Sequence, residues 1–153
     1  MYLESDERFM DLALAEARRA ELAGEVPVGA VIVADGTVVG RGFNQPITTK
    51  DPTAHAEIVA LRDAARNLGN YRLTAVSLYC TTEPCIMCAG AMIHARIERL
   101  VFGTLDPKAG SAVSIYNVLT DPRLNHRVEV LFGVREFECV ELLREFFARR
   151  RTG

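Results

Sequence analysis

The sequence lacks the long apolar run that a membrane-spanning helix needs. None of its hydrophobic stretches approaches the roughly 18 to 20 residues that cross a bilayer. Its first residues are acidic, with Glu4, Asp6 and Glu7, whereas a signal peptide begins basic and then becomes apolar. We therefore expect a cytoplasmic protein with no membrane association.

The sequence also lacks any excess of glycine or proline, with 11 and 6 copies, while 49% of the 153 residues are hydrophobic. This composition excludes disordered, collagenous and low-complexity chains. At this length two independent cores would each be small and poorly buried. Residues 1–153 are therefore predicted to form one domain.

A surplus of positive charge is missing as well, since 18 basic and 20 acidic residues give a net charge of -2. Nucleic-acid-binding proteins are usually basic overall, so any such contact must come from a local patch. The carboxyl-terminal segment 144–153 is one candidate, because its four arginines face only one glutamate. This patch can rest on phosphates, or it can simply be a solvated helix end.

The four cysteines are poor candidates for a disulfide framework, because a chain of this size without a secretory signal is expected in a reducing compartment and its core needs no cross-link. Cys80 and Cys139 are predicted to be buried as small apolar residues. Cys85 and Cys88 are three positions apart, so a helix would place both thiols on one face. Alone, such a pair is compatible with a redox motif, a metal site or two core thiols.

Hydrophobic periodicity predicts an initial hairpin, turning at Asp35-Gly36, within a series of alternating helices and strands. Thr53 is predicted to cap the second helix, and Pro84 to lie in the first turn of the third. The order indicates an α/β domain of three layers, α/β/α, with a mixed five-stranded sheet. Predicted helices cover 6–23, 53–69, 84–95, 114–119 and 136–150, and predicted strands cover 27–33, 37–43, 75–80, 100–103 and 128–132.

Two short motifs at predicted helix starts carry the chemistry. The first is His55-Ala56-Glu57, and the second is Pro84-Cys85-Ile86-Met87-Cys88. One imidazole and two thiolates give three protein ligands for zinc, and three ligands leave a position open for catalysis. Glu57 can act as a proton carrier there, provided that it and His55 approach one water from different sides of the first turn. The ordered pair of motifs is the signature of zinc-dependent nucleobase deaminases.

Nearly the whole chain resembles the bacterial tRNA-specific adenosine deaminases of the cytidine deaminase-like superfamily. The segments that carry the resemblance are Gly24-Glu25-Val26-Pro27-Val28-Gly29-Ala30, Asn44, Pro52-Thr53-Ala54-His55-Ala56-Glu57, Tyr71-Arg72-Leu73, Glu83-Pro84-Cys85-Ile86-Met87-Cys88-Ala89-Gly90-Ala91-Met92-Ile93-His94, Asn125-His126-Arg127 and Phe146-Phe147. The resemblance implies a cytidine deaminase-like fold. It also implies conversion of adenosine to inosine at the wobble position of a tRNA anticodon, in bacteria typically of an arginine tRNA, by a homodimer.

The same resemblance assigns roles to individual residues. His55, Cys85 and Cys88 would bind one zinc ion per subunit, and Glu57 would move protons between water, the adenine N1 and the departing ammonia. Substrate binding would fall to Asn44 and the backbone of Ala56 in the pocket, and to Asp106, Lys108, Asn125, Phe147 and Arg149 on the anticodon stem-loop. One departure from the family pattern is Val113, which stands where a glycine is common. A β-branched residue disfavours positive φ, so the path of this loop is an open question.

Two other functions share parts of this pattern. A deaminase of a free nucleobase, nucleoside or nucleotide, of the cytosine or guanine type, would keep the four zinc-site residues without needing a basic tail. A zinc-stabilised binding module would need a fourth protein ligand and would give Glu57 no task.

Overall fold

The computed structural model describes residues 2–152 and contains one five-stranded sheet with the order β2-β1-β3-β4-β5. Strand β1 pairs antiparallel with β2 and β3, whereas β3, β4 and β5 are parallel. The predicted mixed sheet is therefore confirmed. The strands are β1 (Gly29–Ala34), β2 (Thr37–Phe43), β3 (Val76–Thr82), β4 (Arg99–Thr104) and β5 (Glu129–Phe132).

Helices cover both faces of this sheet, because alternate strand residues point to two separate cores. Leu78 and Cys80 of β3 join the core beneath the helices that begin at Ala56 and Ile86, while Tyr79 joins Phe9 and Cys139 in the core beneath the helices that begin at Ser5 and Glu136. The three-layer prediction and the burial of both isolated cysteines are confirmed. The helices are α1 (Ser5–Leu22), α2 (Pro46–Thr49), α3 (Ala56–Leu68), α4 (Ile86–Ala95) and α5 (Glu136–Thr152), with a 3-10 turn at Val118–Thr120. No helix within residues 2–152 is both long and apolar enough to cross a membrane.

Glycines in β2 let α3 pack directly on the strand backbone. A Cβ built on Gly40 would lie 2.6 Å from the Ala60 oxygen, and one on Gly42 would lie 2.6 Å from the Ala60 nitrogen. Both distances are shorter than any tolerable contact, so larger residues would push α3 away. The close packing fixes the start of α3 beside the carboxyl end of β3.

Two predicted helix starts are wrong. Helix α3 begins at Ala56, and the Thr53 hydroxyl donates to Asp51 instead of capping it. Helix α4 begins at Ile86 with an extended residue before it, so Pro84 precedes the first turn. The residue just before each helix, His55 before α3 and Cys85 before α4, therefore has an extended backbone, and each is a predicted zinc ligand.

Two predicted loop and helix assignments also change, and in each segment a buried carboxylate accepts hydrogen bonds from backbone amides. The predicted loop after β2 contains α2, whose Ile47 and Thr48 amides donate to the Glu25 carboxylate. Of the predicted helix over 114–119, only residues 118 and 119 are helical, in the 3-10 segment, and residues 114–117 form a turn, a bend and irregular backbone. The amides of residues 112–114 donate to Glu83, and these residues form a turn where the predicted helix would begin.

Candidate active site

The candidate site lies where two helices begin beside the carboxyl end of β3. His55 and Cys85 occupy the residues just before α3 and α4, and both have extended backbones. Their side chains are thereby turned towards each other instead of following the helix surface. Glu57 follows two residues later in the first turn of α3, so it approaches the same space from another side.

The three predicted zinc ligands form a compact donor set. The His55 Nδ1 atom lies 3.6 Å from the Cys85 Sγ and 3.5 Å from the Cys88 Sγ. A tetrahedral zinc with bonds of about 2.0 Å to nitrogen and 2.3 Å to sulfur separates neighbouring ligand atoms by about 3.5 to 3.8 Å. The observed spacing fits zinc without rearrangement. Within the described part of the chain, no fourth histidine, cysteine or acidic side chain joins this group.

Without a metal ion, the Cys85 and Cys88 thiols have opposite pKa shifts. Hydrogen bonds from Cys88 and His55 lower the pKa of Cys85 to about 4, against the opposing effect of burial. The same bond to Cys85, together with burial, raises the pKa of Cys88. Without metal the pair therefore holds one proton, which metal binding displaces because the ligand is the thiolate.

Glu57 has the electrostatic environment of a proton carrier. Its side chain is only 3% exposed, and burial together with the neighbouring Cys85 raises its pKa to about 7. A carboxyl group in this range exchanges protons readily near neutral pH. It lines a pocket of about 180 Å³ together with Asn44, His55 and Cys85.

Asn44 connects this pocket to the start of α3. Its Oδ1 atom accepts a hydrogen bond of 2.9 Å from the Ala56 backbone amide. With that oxygen engaged, the Asn44 amide nitrogen is the atom of this side chain that can donate to a ligand. Ala56 is fully buried, and its amide serves Asn44 instead of a ligand.

The five residues expected to contact an anticodon loop fall into two groups. Asp106, Lys108 and Phe147 line a hollow of about 360 Å³ beside the pocket. The hollow and the pocket share Val28, Thr82 and Asp106 as lining residues. Phe147 is 46% exposed there, whereas its neighbour Phe146 is buried.

Asn125 and Arg149 line neither the pocket nor this hollow. Arg96, at the end of α4, donates to Asn125, and Arg149 forms an ion pair with Glu21. Of the five expected contacts, Asp106 therefore lies at the pocket itself, and Lys108 and Phe147 lie in the adjoining hollow.

Sequence reasoning gave no role to Glu83, which is the second buried carboxylate of the pocket. Burial alone would raise its pKa, but hydrogen bonds from Ser114, Asp106 and Val113 outweigh burial and lower it. Its partners lie 23 to 31 residues further along the chain, so no local pattern reveals them. Val113 also resolves the loop question, because it is not among the residues with positive φ and is therefore unstrained.

Comparison with known proteins is consistent with this geometry. Residues 3–104 match the family described as the cytidine and deoxycytidylate deaminase zinc-binding region. The tRNA-specific adenosine deaminase of Haemophilus influenzae is 51% identical over 149 residues, covering 97% of this chain and 86% of that protein. The Aquifex aeolicus protein of the same name is 48% identical over 146 residues, covering 95% of this chain and 96% of its own.

Two solved structures extend the comparison to three dimensions. One comes from a study of A-to-I editing by tRNA:A34 deaminases at the wobble position of transfer RNA. It superposes with a TM-score of 0.86 at 46% identity, covering 89% of this chain and 99% of that one. A guanine deaminase from Nitrosomonas europaea gives a TM-score of 0.84 at 25% identity, covering 97% and 87%. The predicted cytidine deaminase-like fold is confirmed.

Proposed function

Since the chain belongs to the tRNA-specific adenosine deaminase family, we infer that it is a zinc-dependent hydrolase that converts adenosine to inosine in tRNA. The finer assignment we propose is the wobble adenosine of an arginine tRNA. The observation that carries the catalytic part is the joint placement of three zinc donors and the buried Glu57 in one pocket.

His55, Cys85 and Cys88 would hold the zinc ion, because their ligand atoms already have the spacing that tetrahedral coordination requires. A bound zinc ion supplies Lewis acidity, which makes a water molecule nucleophilic near neutral pH. Three protein donors leave room for that water, whereas a purely structural site is closed by four. The donor set thus supports an enzyme over a zinc-stabilised binding module.

Glu57 is the residue that moves protons in this proposal. Its carboxylate accepts a proton from the attacking water and delivers it to N1 of the adenine. It then carries the remaining hydroxyl proton to the amino group, which leaves C6 as ammonia. Burial raises the pKa of Glu57, which supports both directions of transfer, because a carboxyl group with a raised pKa can hold the proton between the two steps.

Asn44 is proposed to recognise the purine. Its oxygen is held by the start of α3, so its amide nitrogen is presented in a fixed orientation as a hydrogen-bond donor. A purine edge offers ring nitrogens as acceptors for such a donor. The Ala56 backbone supports this contact through Asn44, since its own amide is already used.

The hollow beside the pocket suits a splayed anticodon loop. Phe147 offers an exposed ring for stacking on an unpaired base, and Lys108 offers a charge for a phosphate. We assign Asn125 and Arg149 to more distant parts of the anticodon stem-loop, because both lie outside the hollow. A free nucleobase would need none of these groups.

We also propose the homodimer that the family resemblance implies, with one zinc ion per subunit. An apolar groove of about 360 Å³ between α3 and α4 supports a second copy as its occupant, since it is lined by Ile58, Leu61 and the 68% exposed Tyr71. Sedimentation of the zinc-loaded protein tests this proposal. Tyr71→Asp is expected to yield monomers, and a wild-type monomer at micromolar concentration would contradict it.

The function is tested by an inosine assay on the zinc-loaded protein. Transcripts of an arginine tRNA with adenosine at the wobble position are incubated in parallel with the same tRNA carrying wobble guanosine. Free adenosine, cytidine, cytosine and guanine form separate arms, and products are quantified by mass spectrometry. Inosine confined to the wobble adenosine is expected. Conversion of a free base or nucleoside alone would move the chain to the other deaminase class.

A further inference from the structure

We propose that Glu83 is a positioning residue that holds the loop of residues 106–114 against the catalytic pocket. This inference deepens the proposed function and rests on it. Glu83 stands between Thr82, the last residue of β3, and the Pro84-Cys85 step that leads into α4. It therefore links the metal-binding segment to a loop that contributes to the substrate side of the pocket.

The carboxylate of Glu83 accepts hydrogen bonds from five donors of this loop. Its Oε1 atom accepts from the Asp106 amide at 2.9 Å and the Ser114 hydroxyl at 2.5 Å. Its Oε2 atom accepts from the amides of Ala112 at 3.1 Å, Val113 at 2.7 Å and Ser114 at 2.9 Å. All five partners donate, so the position requires a group that only accepts. Glutamine would present an amide NH₂ to some of these donors.

The surrounding backbone makes the arrangement tight. A Cβ on Gly110 would collide with the Glu83 carboxyl group, although the backbone of Gly110 does not need positive φ. The Glu83 side chain is pinned by five bonds, so it cannot move aside at low cost. The Ser111 amide donates to the Pro84 oxygen, and the Glu83 amide donates to the Thr104 oxygen. Side chain and backbone thus tie the loop to the joint between β3 and α4.

The loop contributes Asp106 and Ala109 to the pocket wall, and Asp106 and Lys108 to the adjoining hollow. Because both Glu83 oxygens are used by loop donors, Glu83 acts through the loop and not on the substrate. Loss of these bonds would release the substrate-side wall while leaving His55, Cys85, Cys88 and Glu57 in place. We therefore expect a defect in substrate binding more than in the chemical step.

The first test is Glu83→Gln in the zinc-loaded protein. We expect faster hydrogen exchange at the amides of residues 106 and 112–114, and a KM for the tRNA that rises by about tenfold or more. The change in KM should exceed the change in kcat, and the zinc content should match the wild type. Glu98→Gln is the matched control, because it removes the same charge from an exposed residue. Glu98 lies just before β4, at the edge of the sheet opposite to the one that carries Glu83.

Gly110→Ala approaches the same contact from the loop side and covers the case in which Glu83→Gln does not fold. It leaves every acceptor in place but pushes the loop off the carboxylate, so it should reproduce the local exchange and the KM defect. Gly90→Ala is its control, since a Cβ at Gly90 meets no atom within 4 Å.

The outcomes separate this inference from the proposed function. Faster loop exchange with a raised KM supports the positioning role, whereas wild-type KM in both variants overturns it. Uniformly faster exchange across the sheet, or loss of zinc, would also overturn it and assign Glu83 a general structural role. If the wild-type protein fails to deaminate tRNA, the proposed function fails. The exchange pattern still decides whether Glu83 holds the loop.

Discussion

Two buried carboxylates on opposite faces of the sheet have nearly the same exposure and opposite electrostatic environments. Asp6, 0% exposed, accepts two hydrogen bonds of 2.7 Å from Arg99 and one of 2.6 Å from the Tyr79 hydroxyl. Burial would raise its pKa, but these bonds outweigh burial and lower it. Glu57, 3% exposed, has no arginine partner among the residues that the structure describes, and burial together with the neighbouring Cys85 thiolate raises its pKa to about 7.

The difference shows how one sheet serves stability and chemistry at once. On the α1 face the charge is matched and fixed, which suits a structural contact. On the α3 face the charge is left unmatched, which suits a group that must gain and lose a proton. The comparison predicts that variants of Asp6 chiefly change the free energy of unfolding, whereas variants of Glu57 chiefly change the rate of turnover.

The largest expected effect comes from the metal donors on the α3 face. Cys88→Ala removes one of three ligand atoms and should lower deamination by at least about 1000-fold, with loss of bound zinc. Metal content and inosine formation are measured on the same preparation. Cys139→Ala makes the same substitution in the opposite core and should retain both. Full activity in a zinc-free Cys88→Ala protein would contradict the site.

Glu57→Gln comes next and separates chemistry from metal binding. The amide keeps the size of the side chain but cannot carry a proton, so kcat should fall by roughly 10² to 10⁴-fold. Zinc content, tRNA binding and the unfolding midpoint should stay near wild-type values. An unchanged kcat in the folded, zinc-loaded variant would remove Glu57 from the mechanism.

These two effects concern the part of the site that the sequence predicts well. Cys85 and Cys88 are three positions apart on the chain, and a His-x-Glu motif followed by a Pro-Cys-x-x-Cys motif indicates a shared zinc site. The mixed sheet was predictable for a similar reason, because alternation along β3 and the glycine turn at Asp35-Gly36 are local signals.

The parts that sequence could not predict depend on contacts between distant residues. The Glu83 carboxylate accepts hydrogen bonds from amides 29 to 31 residues away, and residues 112–114 form a turn where the sequence predicts the start of a helix. Asn44 takes the Ala56 amide 12 residues away, so the capping role predicted for Thr53 is not needed. Periodicity describes each segment alone, and it contains no information about which buried acceptor competes for its amides.

On the α1 face, Asp6→Asn should chiefly affect stability. It removes the nearer carboxylate of the buried Arg99 guanidinium, which keeps a longer ion pair of 3.8 Å to Glu129, and breaking such a buried pair costs up to about 3 to 5 kcal/mol in the free energy of unfolding. Chemical denaturation of the zinc-loaded proteins measures this value. Asp11→Asn removes an exposed ion pair to Arg135 and should cost below about 1 kcal/mol. Equal losses in the free energy of unfolding for the two variants would show that the buried ion pair contributes no more to stability than the exposed one.

The pH dependence of the same variant gives a smaller, differential effect. Since the pKa of Asp6 is lower folded than unfolded, its contribution to stability is complete above the unfolded value of about 3.9 and is lost as the pH falls towards the folded value. The stability gap between wild type and Asp6→Asn should therefore narrow on acidification from pH 5. Unfolding curves of both proteins at each pH supply the difference. A gap that stays constant would show that Asp6 does not titrate differently in the two states.

The smallest expected effect concerns Phe147, which lies in the hollow beside the pocket and is not buried. Phe147→Ala removes a ring that is 46% exposed, so a stacked base would lose about 1 kcal/mol, or roughly fivefold in the KM for tRNA. The kcat at saturating tRNA should not change, because the ring lies outside the pocket that holds Glu57. Phe137→Ala truncates a 72% exposed ring at the other end of α5 and should leave both constants unchanged. A kcat defect in Phe147→Ala would instead extend the catalytic region to this hollow.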